Sequence, residues 1–537
     1  MNIKERLKQN KWLYEKYSNY YIKHCTTKYS LNQKLFIKLN SNVWSTIKSN
    51  KKPDGIIYVT FTTPAPDAFW SVMKKAKAYQ EKYGYKIYAI LEGRFKNNRN
   101  IASIIGSYGI DGFIFHNNSK YMKKFIKYNE NATIVAKKIY NPDTDIMDFI
   151  NSSIDNVKLG DLIYDTIIRR NCIVTLKQYE QRFFNCVVEC LSEYYFYKDL
   201  FSKENAKVFI TNEYAYIAGI AIRTAFSAGL ITECINEDGE LRFNESNLFG
   251  CVMDIRNRIS QEELSKKLKE DIKFREDCEQ YFKNRMLGKI NVGDAANAYM
   301  SKRQISKEHL KKMLSLDVNK KTILIAPHVF CDSCHQKELY GFRDYYDWLE
   351  FTLLCLRDRT DINILFKTHP SVSGFGQFEV DGLNYLKTLI PNIIQVPDDV
   401  STALVLEICD VVITCGGTIG LEAACLGIPS VNTSKSYYYG FEIVDVRKNK
   451  EEYRNYLEHI TEFNRKEDPN KIIIAKALLY LSNYYKRNSK VKLSDYIILP
   501  GDNIEKIIDK QYDYINAKIL DITNIKDEEY KKWLTVI

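Results

Sequence analysis

Thr414-Cys415-Gly416-Gly417-Thr418-Ile419-Gly420-Leu421-Glu422-Ala423 runs from a strand-like segment through a glycine turn into a helix, which Leu426-Gly427-Ile428-Pro429 stops. Glycines let backbone N–H groups approach a phosphate closely, and Thr418 can cap the helix and offer its hydroxyl there. Glu422 follows Thr418 by four residues, so it shares that helix face and can reach a ribose diol. The plainer alternative is a tight turn followed by a favourable first-turn acid.

A second cluster, Lys367-Thr368-His369-Pro370, comes directly after the apolar run ending at Phe366. There His369 can donate to a phosphate or nucleotide group, and Lys367 adds charge. A lone His-Pro pair is an ordinary loop feature, but this one lies one β-α unit upstream of the glycine turn. The two loops are therefore expected at neighbouring strand ends.

The surrounding pattern supplies those strands. Residues 322–326, 362–366, 393–396 and 411–414 read as strands alternating with helices over 344–356, 400–408 and 418–426, a doubly wound sheet with ligands at its carboxyl ends. A first lobe begins with strand 56–61 and a helix carrying Phe69, Trp70, Met73, Ala76 and Tyr79 at helical spacing. Strands at 87–91 and 112–115 and a strand-to-helix switch at 208–229 follow. No glycine fingerprint follows the first strand, which argues against a dinucleotide-dependent oxidoreductase. The expected divisions are a helical segment 1–50, a first Rossmann-like domain with helical linker 51–310, a second, nucleotide-binding one 311–445, and a helical tail 446–537.

Length and composition agree with two lobes. At 537 residues, 45% hydrophobic and 27% charged, the chain can bury large cores. The formal charge of +11 is spread among interleaved acids and bases, so nucleic-acid binding is not expected, whereas anionic sugar nucleotides or an anionic membrane face would suit it. No apolar run is long enough to span a bilayer and no signal-peptide core opens the chain, so a cytoplasmic location is expected. The 13 cysteines sit mostly in apolar segments and read as reduced thiols. Cys331-Asp332-Ser333-Cys334-His335 matches a haem-attachment string without an export signal, and it lacks the second Cys/His pair that zinc needs. Asp143-Thr144-Asp145 follows Asn141-Pro142 and reads as a solvated turn rather than a metal site.

Lys367-Thr368-His369-Pro370 together with Gly416-Gly417-Thr418-Ile419-Gly420-Leu421-Glu422-Ala423 resembles the nucleotide-binding motifs of bacterial surface-polysaccharide transferases, including capsule-type Kdo transferases and bacterial sialyltransferases. Ala326-Pro327-His328-Val329-Phe330-Cys331-Asp332 and Gly160-Asp161-Leu162-Ile163-Tyr164-Asp165 are similar to stretches of capsule-biosynthesis proteins. The resemblance covers roughly residues 155–435. It implies a GT-B fold, two Rossmann-like domains facing across a cleft with helical additions at both ends. It also implies a metal-independent glycosyltransferase without a cofactor that uses a CMP-activated donor of an acidic nonulosonic or octulosonic sugar. The acceptor would be a hydroxyl of a surface glycan or glycoprotein, and the basic charge noted above would suit peripheral contact with the cytoplasmic membrane face.

By the same resemblance, His369 contacts the donor phosphate, Pro370 belongs to that motif, Thr418 with Gly416 and Gly417 holds phosphate, and Glu422 meets the ribose. His328 and Asp332 line the cleft on the adjacent strand end. A transfer that deprotonates the acceptor needs a carboxylate base. Sialyltransferases carry theirs in an acidic-glycine motif, of which Leu91-Glu92-Gly93 is the nearest counterpart although it has one acid only. Asp165 and Glu213 are further candidates, with Arg169 or Arg223 as possible structural partners. The rivals are a CDP-polyol phosphotransferase, a sugar-nucleotide epimerase and a non-catalytic nucleotide-binding protein.

Overall fold

Strands buried on both faces read as unbroken apolar runs, and those at 56–60, 206–211, 321–326 and 411–414 become strands with almost no exposed position. The computed structural model describes residues 29–62, 65–91, 99–115, 123–236, 239–249, 254–290, 297–303, 305–487, 504–519 and 528–537. In chain order the first lobe contains α1 (Leu31–Trp44), β1 (Ile56–Thr60), α2 (Pro66–Tyr83), β2 (Lys86–Leu91), α3 (Arg99–Gly106) and β3 (Gly112–Phe115). A mainly helical insertion follows: α4 (Lys123–Ile139), the hairpin β4 (Ser153–Ile154) and β5 (Val157–Lys158), α5 (Gly160–Arg170) and α6 (Phe184–Phe201). The lobe resumes with β6 (Ala206–Thr211), α7 (Tyr216–Ser227), β7 (Ile231–Asn236) and β8 (Gly239–Arg242).

The linker is α8 (Gln261–Glu270), closed at its start by a Ser260/Glu263 capping box, and α9 (Ile272–Met286), capped by Asp271. Then come α10 (Lys307–Met313), β9 (Lys321–Ala326), α11 (Tyr345–Leu356), β10 (Ile362–Phe366), α12 (Gln377–Lys387), β11 (Ile393–Gln395), α13 (Thr402–Ile408), β12 (Val411–Thr414), α14 (Thr418–Ala424), β13 (Ser430–Asn432) and β14 (Asp445–Val446). The chain finishes with α15 (Lys450–Glu458), α16 (Pro469–Arg487), α17 (Ile504–Ile519) and α18 (Glu528–Val536).

Both sheets have six strands and the same order. The first is β3-β2-β1-β6-β7-β8 and the second β11-β10-β9-β12-β13-β14, parallel throughout except for the antiparallel edge strand β8. Each grows outward from its first strand in one direction and then returns to that strand's other side. The reversal opens a crevice between β9 and β12 at their carboxyl ends, where ligands of such folds bind. The fold is thus two Rossmann-like lobes, the GT-B architecture expected above. Strands β7, β8, β13 and β14 were not among the sequence expectations: β13 and β14 are edge or near-edge pieces of three and two residues, β8 has only four, and β7 shows no alternation of burial.

Two features join the lobes. One apolar core runs from Ala132, Tyr140, Leu162 and Tyr164 of the insertion to Ile323, Trp348 and Leu353 of the second lobe. The tail divides: α16 packs Ala475 and Leu478 against Phe274 and Tyr281 of the linker. By contrast, α17 and α18 return to the first lobe, where Tyr512, Ile515, Tyr530 and Trp533 share a core with Phe36 and Trp44. Ser30 Oγ donates to Asp509 at 2.6 Å and Trp533 Nε1 to Glu240 at 2.8 Å. Asp145 caps a short helix by accepting from Met147 N at 2.7 Å and Asp148 N at 3.3 Å, so the Asp-Thr-Asp string is the turn its sequence suggested.

Candidate active site

The loops leaving β9, β10 and β12 surround a cavity of about 310 Å³ at the strand-order reversal. His328, Asp332 and Lys337 reach it from the first loop, Lys367, His369 and Pro370 from the second, and Gly416, Gly417, Thr418 and Glu422 from the third. Sequence reasoning named all of these but Lys337, and the parallel register places them together. A second cavity of about 420 Å³ adjoins it along Lys367 to Pro370.

The glycine turn is required by space. Gly416 has φ +83°, where an L side chain is strained, and a Cβ there would run into Ser434 Oγ. A Cβ on Gly417 would stand 2.7 Å from Thr414 Oγ1, which already accepts from Gly417 N at 3.3 Å. Gly417, not Thr418, occupies the N-cap of α14. Thr418 is the first helical residue, with its Oγ1 3.5 Å from the Tyr437 hydroxyl.

Two imidazoles face the cavity in different protonation geometries. His369 Nδ1 accepts from Ser371 N at 3.3 Å, which places the ring proton of the neutral form on Nε2. His328 also bonds to the Cys415 backbone, while its Nε2 has no partner among the described residues and sits 3.4 Å from the Cβ position of Gly417. By elimination Nδ1 carries the His328 proton. Burial first, then Lys337 and His369, lowers the His328 pKa well below the usual imidazole value, so this ring is neutral.

The cationic groups are placed by carbonyls rather than acids. Lys367 Nζ donates to Val400 O at 2.9 Å, and Lys337 Nζ to Gly416 O at 3.2 Å. Burial, reinforced by Lys302 and opposed by Asp398 and Asp399, lowers the Lys367 ammonium to about 8. Glu422 is engaged at both oxygens: Oε1 accepts from Arg285 Nε at 2.8 Å and also from Nη2, and Oε2 from the Tyr299 hydroxyl at 2.5 Å. Arg285 lines the cavity itself. Sequence reasoning missed Arg285, Tyr299 and Lys337 because nothing in a helical linker or loop announces a partner 79 to 137 residues away.

The candidate acids separate. Asp165 is fully buried outside the cavity, accepting from His335 Nδ1 at 2.6 Å, His335 N at 3.2 Å and Cys334 Sγ at 3.2 Å. His335 Nε2 lies 3.0 Å from Arg343 O, so two acceptors hold its two protons. Burial alone would lower the His335 pKa, but Asp165, with Asp161 and Asp344 behind it, raises it. Asp165, Cys334 and His335 could supply metal-ligand atoms within 4.8 Å of one another, yet here they bond to each other. Glu213 caps its own loop, accepting from Tyr214 N at 2.8 Å and Ala215 N at 2.9 Å. Glu92 lies outside the described residues. Asp332 remains exposed on the cavity wall. Arg223 pairs with Asp161 rather than Asp165 or Glu213, and Arg169 Nη1 sits 3.4 Å from Cys331 Sγ.

Among known proteins, residues 241–467 match the family model described as capsule polysaccharide biosynthesis protein. A search of curated proteins returned no match. Among solved structures, the beta Kdo 2,4 transferase KpsC of Thermosulfurimonas dismutans aligns at 14% identity over 53% of this chain and 88% of its own, with a TM-score of 0.33. The UDP-GlcNAc 2-epimerase of Neisseria meningitidis, bound to UDP-GlcNAc, aligns at 10% identity over 80% and 99%, with a TM-score of 0.25. Anabaena HepE in complex with UDP aligns at 11% over 80% and 95%, with a TM-score of 0.24. At these scores the likenesses carry no argument about ligand or reaction. No helix among the described residues is long and apolar enough to cross a membrane. The family match spans the second sheet and its cavity, on a chain whose two Rossmann-like lobes have the GT-B architecture.

Proposed function

We propose that the chain moves an acidic nonulosonic or octulosonic sugar from a CMP-activated donor to a hydroxyl of a surface glycan or glycoprotein, without a metal or cofactor. The observation that carries this reading is the cavity at the β9/β12 crevice, where the glycine turn, His369, Lys367 and Lys337 converge on space for an anion. His369 Nε2–H and the ammonium groups stabilise charge gathering on the leaving phosphate, and Glu422, already bonded to Arg285 and Tyr299, would meet the ribose with the lone pair left on Oε2. Asp332 is taken as the base because it is exposed on the cavity wall, whereas Asp165 and Glu213 are bonded elsewhere and Glu92 lies outside the described residues. It takes the acceptor hydroxyl proton as the new glycosidic C–O bond forms, and the donor C–O bond breaks with its electron pair leaving on CMP. The cytoplasmic face of the membrane, where its acceptor would be assembled, is part of the same proposal.

A thermal-shift panel of CMP, CDP, UDP, GDP and NAD tests the nucleotide class: CMP is expected to stabilise most. Product analysis then tests the reaction. Free CMP with a glycoside supports it, whereas CMP with a phosphodiester assigns polyol-phosphate transfer instead.

A further inference from the structure

Asp332 belongs to the second lobe in sequence, yet much of its loop is held by the first. Tyr216, the opening residue of α7, reaches across the lobes: its hydroxyl donates to Cys331 O at 3.1 Å and lies 3.4 Å from Asp332 Oδ1. Gln336 Nε2 donates to Tyr214 O at 3.3 Å, and Asp165 of α5 holds Cys334 and His335. From the second lobe, Glu379 on α12 accepts from Phe330 N and Cys331 N, both at 2.8 Å. The backbone is strained on both sides of this meeting. Tyr216 has φ +54° and Ser333 has φ +46°, left-handed conformations that non-glycine residues hold only when their surroundings enforce them.

We infer that Tyr216 is a positioning residue which sets the Asp332 carboxylate at the cavity mouth, so that the base is correctly placed only when the lobes meet. The inference rests on the reading of Asp332 as base in a CMP-donor transfer. Burial, then the neighbouring Asp332, keeps the Tyr216 phenol protonated well beyond the usual tyrosine range, so it remains a donor at every working pH.

The test is a double-mutant cycle read by CMP release from CMP-Kdo and CMP-N-acetylneuraminate, with CMP thermal shift measured in parallel. Tyr216→Phe is expected to retain CMP stabilisation and KM for the donor, to lower kcat about tenfold, and to add nothing when combined with Asp332→Asn. Tyr216→Asn, which tolerates the left-handed backbone but cannot reach Asp332, should behave like Tyr216→Phe. Normal kcat in Tyr216→Phe beside a slow Asp332→Asn, or fully additive losses, overturns the positioning role while leaving the transfer reading in place. Normal turnover by Asp332→Asn, or no CMP release from either donor by the unaltered protein, overturns the reading beneath it.

Discussion

The imidazoles of His328 and His369 lie nearly parallel, 6.3 Å between centroids and 27° between planes, yet they offer the cavity opposite functions. His369 is arranged to present an N–H, because Ser371 N occupies its Nδ1. His328 keeps a bare nitrogen, buried against Gly417, because its proton is turned to the Cys415 backbone and its ring is stacked on Tyr345 at 4.6 Å. An anion therefore has a donor on one side, and a hydroxyl of the same ligand has an acceptor on the other. His369→Ala is expected to weaken CMP binding by about 1.5–3 kcal/mol, the range of a charged hydrogen bond. His328→Phe keeps the stacking and should discriminate between CMP and its 2′-deoxy or sugar-bearing forms rather than weaken all equally. Isothermal titration against the three ligands decides this, and a uniform loss would refute the acceptor role.

The glycine turn makes a stability prediction as well as a binding one. Gly416→Ala places a side chain at φ +83° against Ser434. We expect a loss of about 1–3 kcal/mol in denaturant unfolding, with CMP binding reduced further. Adding Ser434→Gly relieves the collision but not the backbone strain, so recovery should be partial. Full recovery would show that space alone demands glycine here.

Glu422 and Arg285 form a nearly buried pair, with side-chain exposures of 4% and 11%. Removing one partner strands the other, and Arg285→Leu should destabilise the chain by about 3–5 kcal/mol. Glu422→Gln keeps the shape and part of the bonding, so its loss should be smaller, with ribose-dependent affinity falling more than stability. Comparing CMP with cytosine plus phosphate by thermal shift separates the two effects.

Lys367 predicts the pH course of anion binding. Its ammonium titrates at about 8 in the empty site, and a bound anion favours the charged form. CMP affinity should therefore be flat between about pH 7, where the phosphate is fully ionised, and that value, and fall toward tenfold per pH unit above it, with proton uptake on binding. Lys367→Met should bind weakly and without this slope; an unchanged slope would place the titrating group elsewhere.

His335 and His328 predict opposite trends in stability. The folded pKa of His335 is raised, so its pairing with Asp165 contributes fully below the unfolded value of about 6.5 and fades as pH rises through the folded one. That of His328 is lowered, so below about pH 6.5 the unfolded chain takes up a proton the folded site refuses, and stability falls. Urea unfolding from pH 5 to 9 should show His335→Gln flattening the alkaline decline and His328→Phe flattening the acidic one.

The alternation of apolar runs with helical periods was legible without coordinates, and so were the loops at 367–370 and 414–418. Hydrophobic period, turn glycines and caps act within a few residues, so they are written locally. The order of the six strands in each sheet, the return of α17 and α18 to the first lobe, and the pairing of Arg285 with Glu422 across 137 positions were decided by docking of distant elements. Asp165 shows the difference most clearly: its acidity and its place in a familiar-looking stretch were visible at once. Only the packing of α5 against the loop after β9 turned it from an available base into the buried partner of His335, because a charge's role depends on what lies beside it.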